Sequence, residues 1–256
     1  MIELIPGRIG QAIVLLLLLF VVFLASRTAL KRKSKMRPIP GLDKLKEWIV
    51  EAKTLDRCVF FSPGTGGVGA TDTLAALALL RYVARLCVMH DVKLVVANED
   101  QNVQQVTEEI VKDEYTKAGK PEKYTVDSVR YISASIYAYA AGVMGLLQRE
   151  RPALNIFVGI FSAESLEISE AGRAEAVHQF AGTSSIDQLP FFLATCDLTL
   201  LAGELYTAQS YLTNDVKEVA WTIGQDAGKV IAILLMLIGT ILVSFGNQII
   251  MNFLKL

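Results

Sequence analysis

The spacing of apolar and polar positions changes several times along this chain. From Ile9 to Ser26 no position is charged, and Ile13 to Leu24 consists of Leu, Val, Phe and Ile alone. Val230 to Leu254 is again free of charge. About 20 apolar residues let a helix cross a bilayer, so both stretches predict membrane-spanning helices, within 9–30 and 229–256. Asn247, Gln248 and Asn252 make the second stretch polar near its end, which places its last turn at an interface. Between the two the pattern is different. Leu42, Leu45, Trp48, Ile49 and Ala52 share one face of a predicted helix over Leu42–Asp56, with Lys44, Lys46, Glu47 and Glu51 elsewhere. Trp48 beside lysines also suits a helix lying on a membrane. The balanced charges favour a helix packed on the domain that follows.

From Arg57 onward short apolar runs alternate with helical patterns. Strands are predicted over Cys58–Phe61, Lys93–Ala97, Val129–Ile132, Asn155–Phe161, Val177–Phe180 and Leu198–Leu201. Helices are predicted over Thr71–His90, Gln101–Ala118, Ile136–Gln148, Ser165–Glu175 and Ile186–Thr195, and a last one from about Ala208 to Gly224. This alternation implies βαβ units, hence an α/β fold with a parallel sheet and helices on both faces. Lys117 to Asp127, with Gly119 and Pro121, reads as a polar surface loop. The helix over Ile136–Gln148 is thin, with Ala138, Ala140, Ala141, Gly142 and Gly145. Such a surface suits close packing on a sheet; a subunit contact is the alternative.

Charge then orients the layout. The 256 residues carry a formal net charge of −1 and are 52% hydrophobic, with a mean hydropathy of +0.41. Arg27, Lys31, Arg32, Lys33, Lys35 and Arg37 follow the first apolar stretch, and positive flanks stay in the cytoplasm. The expected layout is an external segment over 1–8, a span within 9–30, and a basic juxtamembrane segment and helix over 31–56. A cytoplasmic α/β domain over 57–228 and a second span within 229–256 complete it. Both termini then lie outside an inner (plasma) membrane. No A-x-A cleavage site follows the first stretch, which weighs against a signal peptide. Cys58, Cys87 and Cys196 are widely spaced in apolar surroundings, as expected of reduced, buried thiols. His90 and His178 have no partner at ligand spacing, and no metal-site pattern is present.

Candidate chemistry centres on Ser62-Pro63-Gly64-Thr65-Gly66-Gly67-Val68-Gly69-Ala70-Thr71-Asp72. Gly64, Gly66 and Gly69 fit G-x-G-x-x-G between a strand and a helix, and Glu99 ends the next strand as a ribose-binding acid would. Three features depart from a dinucleotide fingerprint. Pro63 separates the strand from Gly64. Glu99 lies 30 positions after Gly69, where the fingerprint expects roughly 20. Asp72, in the first helical turn, would repel a pyrophosphate. No Gly-Lys-Ser/Thr closes the loop as a Walker A motif would. The loop is therefore read as a tight strand-to-helix turn whose amides, with Thr65 and Thr71, face a crevice.

In an open parallel sheet the strand C-terminal ends line the ligand crevice. Here they bring Gly64, Thr65, Gly66, Gly67, Gly69 and Thr71 together with Glu99, Ser133, Ser162, Glu164, Thr183 and Glu204 as candidate ligand-binding residues. The set holds no Lys, Arg, His or Cys. A nucleophile needs a base beside it and phosphate chemistry needs a cation, so the crevice favours binding something neutral or cationic. No catalytic residue is assigned and no cofactor is identified. The basic residues cluster where a membrane surface explains them, which excludes nucleic acid as the expected partner. The lipid bilayer, further copies of the chain and other membrane proteins are the expected partners.

The run FSPGTGGVGATDTLAALALLRYVA, followed by SASIYAYAAGVMG, GIFSAESLEISEAG and FAGTSSIDQLPFFLATCDLTLLAGELY, resembles an uncharacterised family of bacterial and archaeal membrane proteins sharing a domain of unknown function. The resemblance covers about Cys58 to Leu242. It implies a cytoplasmic Rossmann-like domain tied to membrane helices and brings no catalytic residues. Three functional classes follow. A non-enzymatic, membrane-anchored oligomeric scaffold leads, with Pro190-Phe191-Phe192, the Ala/Gly helix and the second span as contacts. A membrane-tethered sensor of a small ligand or nucleotide is next. An enzyme using Glu99, Glu164 or Glu204 is third.

Overall fold

The computed structural model describes residues 9–32, 39–213 and 216–244. They belong to two compact units, one of residues 38–213 and one of residues 1–37 with 214–256. The helices are α1 (Ile9–Arg32), α2 (Lys44–Thr54), α3 (Thr71–Met89), α4 (Gln101–Lys117), α5 (Ile136–Glu150), α6 (Glu164–Glu175), α7 (Leu189–Thr195), α8 (Gly203–Thr213) and α9 (Val216–Ser244). The strands are β1 (Val59–Gly64), β2 (Leu94–Asn98), β3 (Val129–Tyr131), β4 (Leu154–Ile160), β5 (His178–Thr183) and β6 (Leu198–Leu201).

Residues 38–213 form the α/β unit. Its six strands are all parallel, in the order β3-β2-β1-β4-β5-β6. The central strands are covered on both faces, which is why they read as continuous apolar runs. Side chains alternate between two cores. Val59, Phe61, Val96, Ile156 and Phe180 face α2, α3, α4 and α8, against Leu45, Ile49, Leu79, Val83, Val111 and Leu205. Phe60, Val95, Ala97, Phe157 and Ala181 face α5, α6 and α7, against Tyr139, Val143, Leu147, Ile168 and Phe192. On that side Phe161 sits 5.2 Å from Phe192 and 6.4 Å from Phe157, ring to ring. Phe192, expected as part of a contact surface, is therefore core. The thin helix does pack on the sheet side: Gly142 lies against Ile132, where a Cβ would overlap the Ile132 side chain. Short 3-10 turns over Pro121–Lys123 and Val126–Ser128 interrupt the expected polar loop.

The described parts of the other unit are α1 and α9, which pack on each other. Small residues make the approach possible. Gly224 and Gly228 are one turn apart on α9 and face Val22 and Ser26 of α1, and a Cβ on Gly224 would lie 2.8 Å from the Val22 carbonyl oxygen. Ser26 and Ala29 of α1 and Val219 and Ala220 of α9 are also buried. Hydroxyls are satisfied within their own helices, as a hydrocarbon setting demands: Ser26 donates to Val22 O at 2.7 Å and Thr240 to Met236 O at 2.9 Å. Leu15, Leu16, Leu19, Phe20, Leu234, Met236 and Leu237 are left exposed. Gly10–Leu30 and Val219–Ser244 are long and apolar enough to cross a membrane. Of the expected helix over 208–224, residues 208–213 fall in α8 and 216–224 in α9. Leu205 and Ala208 of α8 belong to the sheet core, whereas Gly224 of α9 faces α1. The boundary expected at 229 for the second span also lies inside α9 rather than at its start.

Candidate functional site

Strand order reverses direction between β1 and β4, so the C-terminal ends of these strands flank the topological switch point, where open α/β sheets bind ligands. β1 runs three residues past its predicted end because it stays paired with β4 through an irregularity at Pro63, with Gly64 opposite Ile160. Two glycines permit this closeness. Gly64 has φ +81°, and a Cβ there would overlap the Ile160 carbonyl oxygen. Gly159 has φ +141°, and its Cβ would overlap the Pro63 carbonyl oxygen. Thr65 N–H then donates to Ile160 O at 2.8 Å. The glycine loop is thus laid across the end of β4. Gly64 is a structural necessity.

The remaining glycines differ. A Cβ on Gly66 would meet Thr73 Oγ1 at 2.6 Å, while Gly67 and Gly69 have nothing within 4 Å of that position. In a dinucleotide fingerprint the third glycine serves close helix–strand packing, and Gly69 does no such service here. α3 starts after Ala70 without a side-chain cap.

Asp72 explains itself once the fold is known. It is 1% exposed. Its carboxylate accepts from Ser184 N–H and Ser184 Oγ, both at 2.8 Å, and from Tyr206 Oη at 2.6 Å. The acid turns toward the β5–α7 connection and α8, so it is a clamp joining three segments.

Glu164 opens α6, and its side chain turns back over the switch point. Oε1 accepts from Ser162 N–H at 2.9 Å and from Thr65 Oγ1 at 3.2 Å, tying the β4–α6 turn to the glycine loop. The residue is 1% exposed, and Oε2 has no hydrogen-bond partner. Thr73 Oγ1, beside Gly66, is buried and unpartnered too. Glu99, just past β2, is partly buried. Burial raises its carboxyl above the ordinary range, and the charges of Asp100 and Glu164 add to this. Tyr139 of α5 reaches the same place from below, its hydroxyl 2.6 Å from Ser62 Oγ and donating to Ala97 O at 3.2 Å. Burial pushes that phenol far up.

The switch point thus gathers Gly64, Thr65, Gly66, Ser162, Glu164 and Glu99. The other expected residues have local duties. Ser133 Oγ accepts from Ser135 N–H, Thr183 Oγ1 from Ser185 N–H, and Glu204 Oε2 from Leu201 N–H. Thr71 lies by Tyr206 at 3.4 Å. Asp100 caps α4 through Asn102 and Val103 N–H. Thr73 and Tyr139 were not among the candidate ligand-binding residues, and only the topology brings Tyr139 beneath the loop. Among the described residues no three His, Cys, Asp or Glu are grouped to hold a metal ion.

A polar cavity of about 290 Å³ opens at the opposite end of the sheet, near Lys53, Arg57, Cys58, Asp91, Lys93 and Glu150. Most of its charged side chains already have partners, Asp56 being the exception among the described residues. Lys93 pairs with Glu150 at 2.6 Å, Lys53 donates to Asp91 O, and Arg57 donates to the carbonyls of Arg151 and Glu175. Space lies at one end of the sheet and unpaired chemistry at the other. Chemistry decides, because a ligand is recognised by groups that the fold leaves unmatched.

A family model described as a domain of unknown function (DUF6754) matches residues 5–254. No curated protein and no solved structure matches the chain.

Proposed function

The chain belongs to the DUF6754 family, whose model takes in both apolar helices and the α/β unit together, and on that premise we propose a membrane-anchored protein whose α/β unit binds a small ligand at the switch point. The carrying observation is Glu164 Oε2, a carboxylate oxygen in a 1% exposed residue with no partner. A buried polar group left unmatched is costly, and such exceptions concentrate where a ligand completes the set. α1 and α9 serve as a two-helix membrane anchor. The basic run after α1 supports a cytoplasmic α/β unit at an inner membrane by the positive-inside rule.

The test is a native mass spectrum of the full-length protein released from detergent, with Gly66→Val as comparison. A stoichiometric small-molecule mass on the wild type, lost in Gly66→Val with the fold intact, is the expected result. Absence of any adduct, together with no response of melting temperature to added small molecules, overturns the reading. A scaffold is the second reading. It is favoured by apolar side chains left exposed on the α/β unit: Tyr137 of α5 at 75%, Ile186 before α7 at 82% and Leu193 of α7 at 57%. A closed oligomer free of added mass in the same spectrum supports that reading instead.

A further inference from the structure

Resting on the binding site proposed above, we infer that its ligand is a small organic cation, an ammonium or guanidinium compound, held by Glu164 with Glu99 beside it. Two independent observations mark the place. Glu164 Oε2 on the β4 side and Thr73 Oγ1 on the α3 side are both buried in residues at most 1% exposed, and neither has a partner. Both border the glycine loop, Glu164 through its bond from Thr65 and Thr73 through its closeness to Gly66. An ionised carboxylate is an acceptor only, so the group that completes Glu164 must donate.

Charge narrows the donor further. Glu164, Glu99 and Asp100 gather at this end of the sheet, and the first two feel each other's charge. Asp100 is spent on its cap, whereas Glu99 makes no hydrogen bond or ion pair with the described residues. No described Lys, Arg or His is ion-paired to Glu164 or Glu99; the charged network of α3 and α4, Arg81 and Arg85 with Asp113 and Glu114, satisfies itself. An anionic ligand would meet two carboxylates without a cation to offset them, despite the uncapped start of α3. A neutral polyol would satisfy Oε2 and leave both charges unbalanced. A cation with N–H donors satisfies the hydrogen bond and the charge together, and a charge-assisted bond is about twice as strong as a neutral one. Its N–H groups donate to Glu164 Oε2, with Thr73 Oγ1 as a further acceptor and the Glu99 carboxylate adding negative charge at the same end of the sheet.

The experiment is a melting-temperature titration of the full-length protein in detergent with methylguanidine and ethanolamine, set against glycerol, inorganic phosphate and ADP. Saturable stabilisation by a cation is expected, weakened at least ten-fold by Glu164→Gln and less by Glu99→Gln. It should also weaken as pH falls and Glu99, whose carboxyl burial raises, takes up a proton. Should Glu164→Gln fail to fold, Glu99→Gln alone decides, since no hydrogen bond or ion pair among the described residues uses that side chain. Saturable binding of phosphate, ADP or glycerol without the cations overturns this inference and leaves the binding site standing. Cation binding that both variants retain unchanged overturns the assignment to these residues. No saturable binding by any probe overturns the inference, and, if no native adduct exists either, the site as well.

Discussion

The glycine loop contains its own control experiment, because its glycines are present for different reasons. Gly64→Ala places a Cβ onto the Ile160 carbonyl oxygen and 3.0 Å from its carbon, at a residue with φ +81°. Left-handed backbone costs a non-glycine residue about 1–3 kcal/mol. Forcing an atom into a filled space costs about 1–3 kcal/mol more, and here the obstacle is backbone on a buried strand, which cannot swing aside. Together these predict a loss of roughly 3 kcal/mol or more, which at about 2–4 °C per kcal/mol for a unit of this size lowers the melting temperature by roughly 6–12 °C. Gly67→Ala and Gly69→Ala meet nothing within 4 Å and should stay within about 0.5 kcal/mol of wild type. Trp48 is a suitable reporter: it is buried in the α/β unit and stacked 4.6 Å from the His178 ring. Melting is followed by its fluorescence in a Trp221→Phe background, which silences the other tryptophan. Equal melting temperatures for Gly64→Ala and Gly67→Ala would refute the close β1–β4 packing and the reading of the loop built on it.

Further tests address other parts of the molecule. Tyr206→Phe removes one donor from the buried Asp72 and should cost about 1–2 kcal/mol in a denaturant titration; no change would mean that the clamp does not hold α8. Lys123 and Lys120 hold the Asp91 carboxyl down, from 3.8 to about 2. A depressed carboxylate adds stability that is complete above its unfolded value and is lost as pH falls through the folded one. The melting-temperature gap between wild type and Asp91→Asn should therefore be constant above about pH 5 and close toward pH 2; a gap independent of pH across that range would contradict the pairing. Burial raises the Cys58 thiol from 9.0 to about 11, so its thiolate at pH 8 is about 100-fold scarcer than that of an ordinary thiol and alkylation by iodoacetamide should be slow until the protein unfolds. Gly224→Leu should part α1 from α9, read as loss of cross-linking between cysteines placed at Ser26 and Ala220, and retained cross-linking would refute the small-residue contact.

The architecture was legible where periodicity is strong. β6 has its expected bounds, and α3, α4 and α5 start at Thr71, Gln101 and Ile136 as the polar-to-apolar change indicates. The end of β1 was not legible. Ser62-Pro63-Gly64 carries every local mark of a turn, and only Gly159, 95 positions later, allows it to remain in the sheet. The site was half legible. Glu99, Glu164 and the loop could be placed at strand ends by pattern alone, whereas Ser133, Thr183 and Glu204 share the same local signature yet serve nearby amides. Whether a carboxylate is spent or unspent depends on contacts far along the chain. Asp72 shows this best: in sequence it is an obstacle to phosphate, and its partners Ser184 and Tyr206 lie over a hundred residues away.

Strand order has a consequence for synthesis on the ribosome. β1 is central, yet its second neighbour arrives late: Phe61 pairs with Ile156, 95 residues downstream. At about 5–20 residues per second, β1 waits roughly 5–20 seconds for β4, and for about the last 1–5 of those seconds the nascent β3-β2-β1 sheet exists with the β4-facing edge of β1 open. Such an edge invites pairing with another chain. Pro63 stands at the irregularity on that very edge, and a residue without an N–H is a poor template for a stray strand. The residue that looked like a break in the sequence thus protects the unfinished sheet until its proper partner emerges.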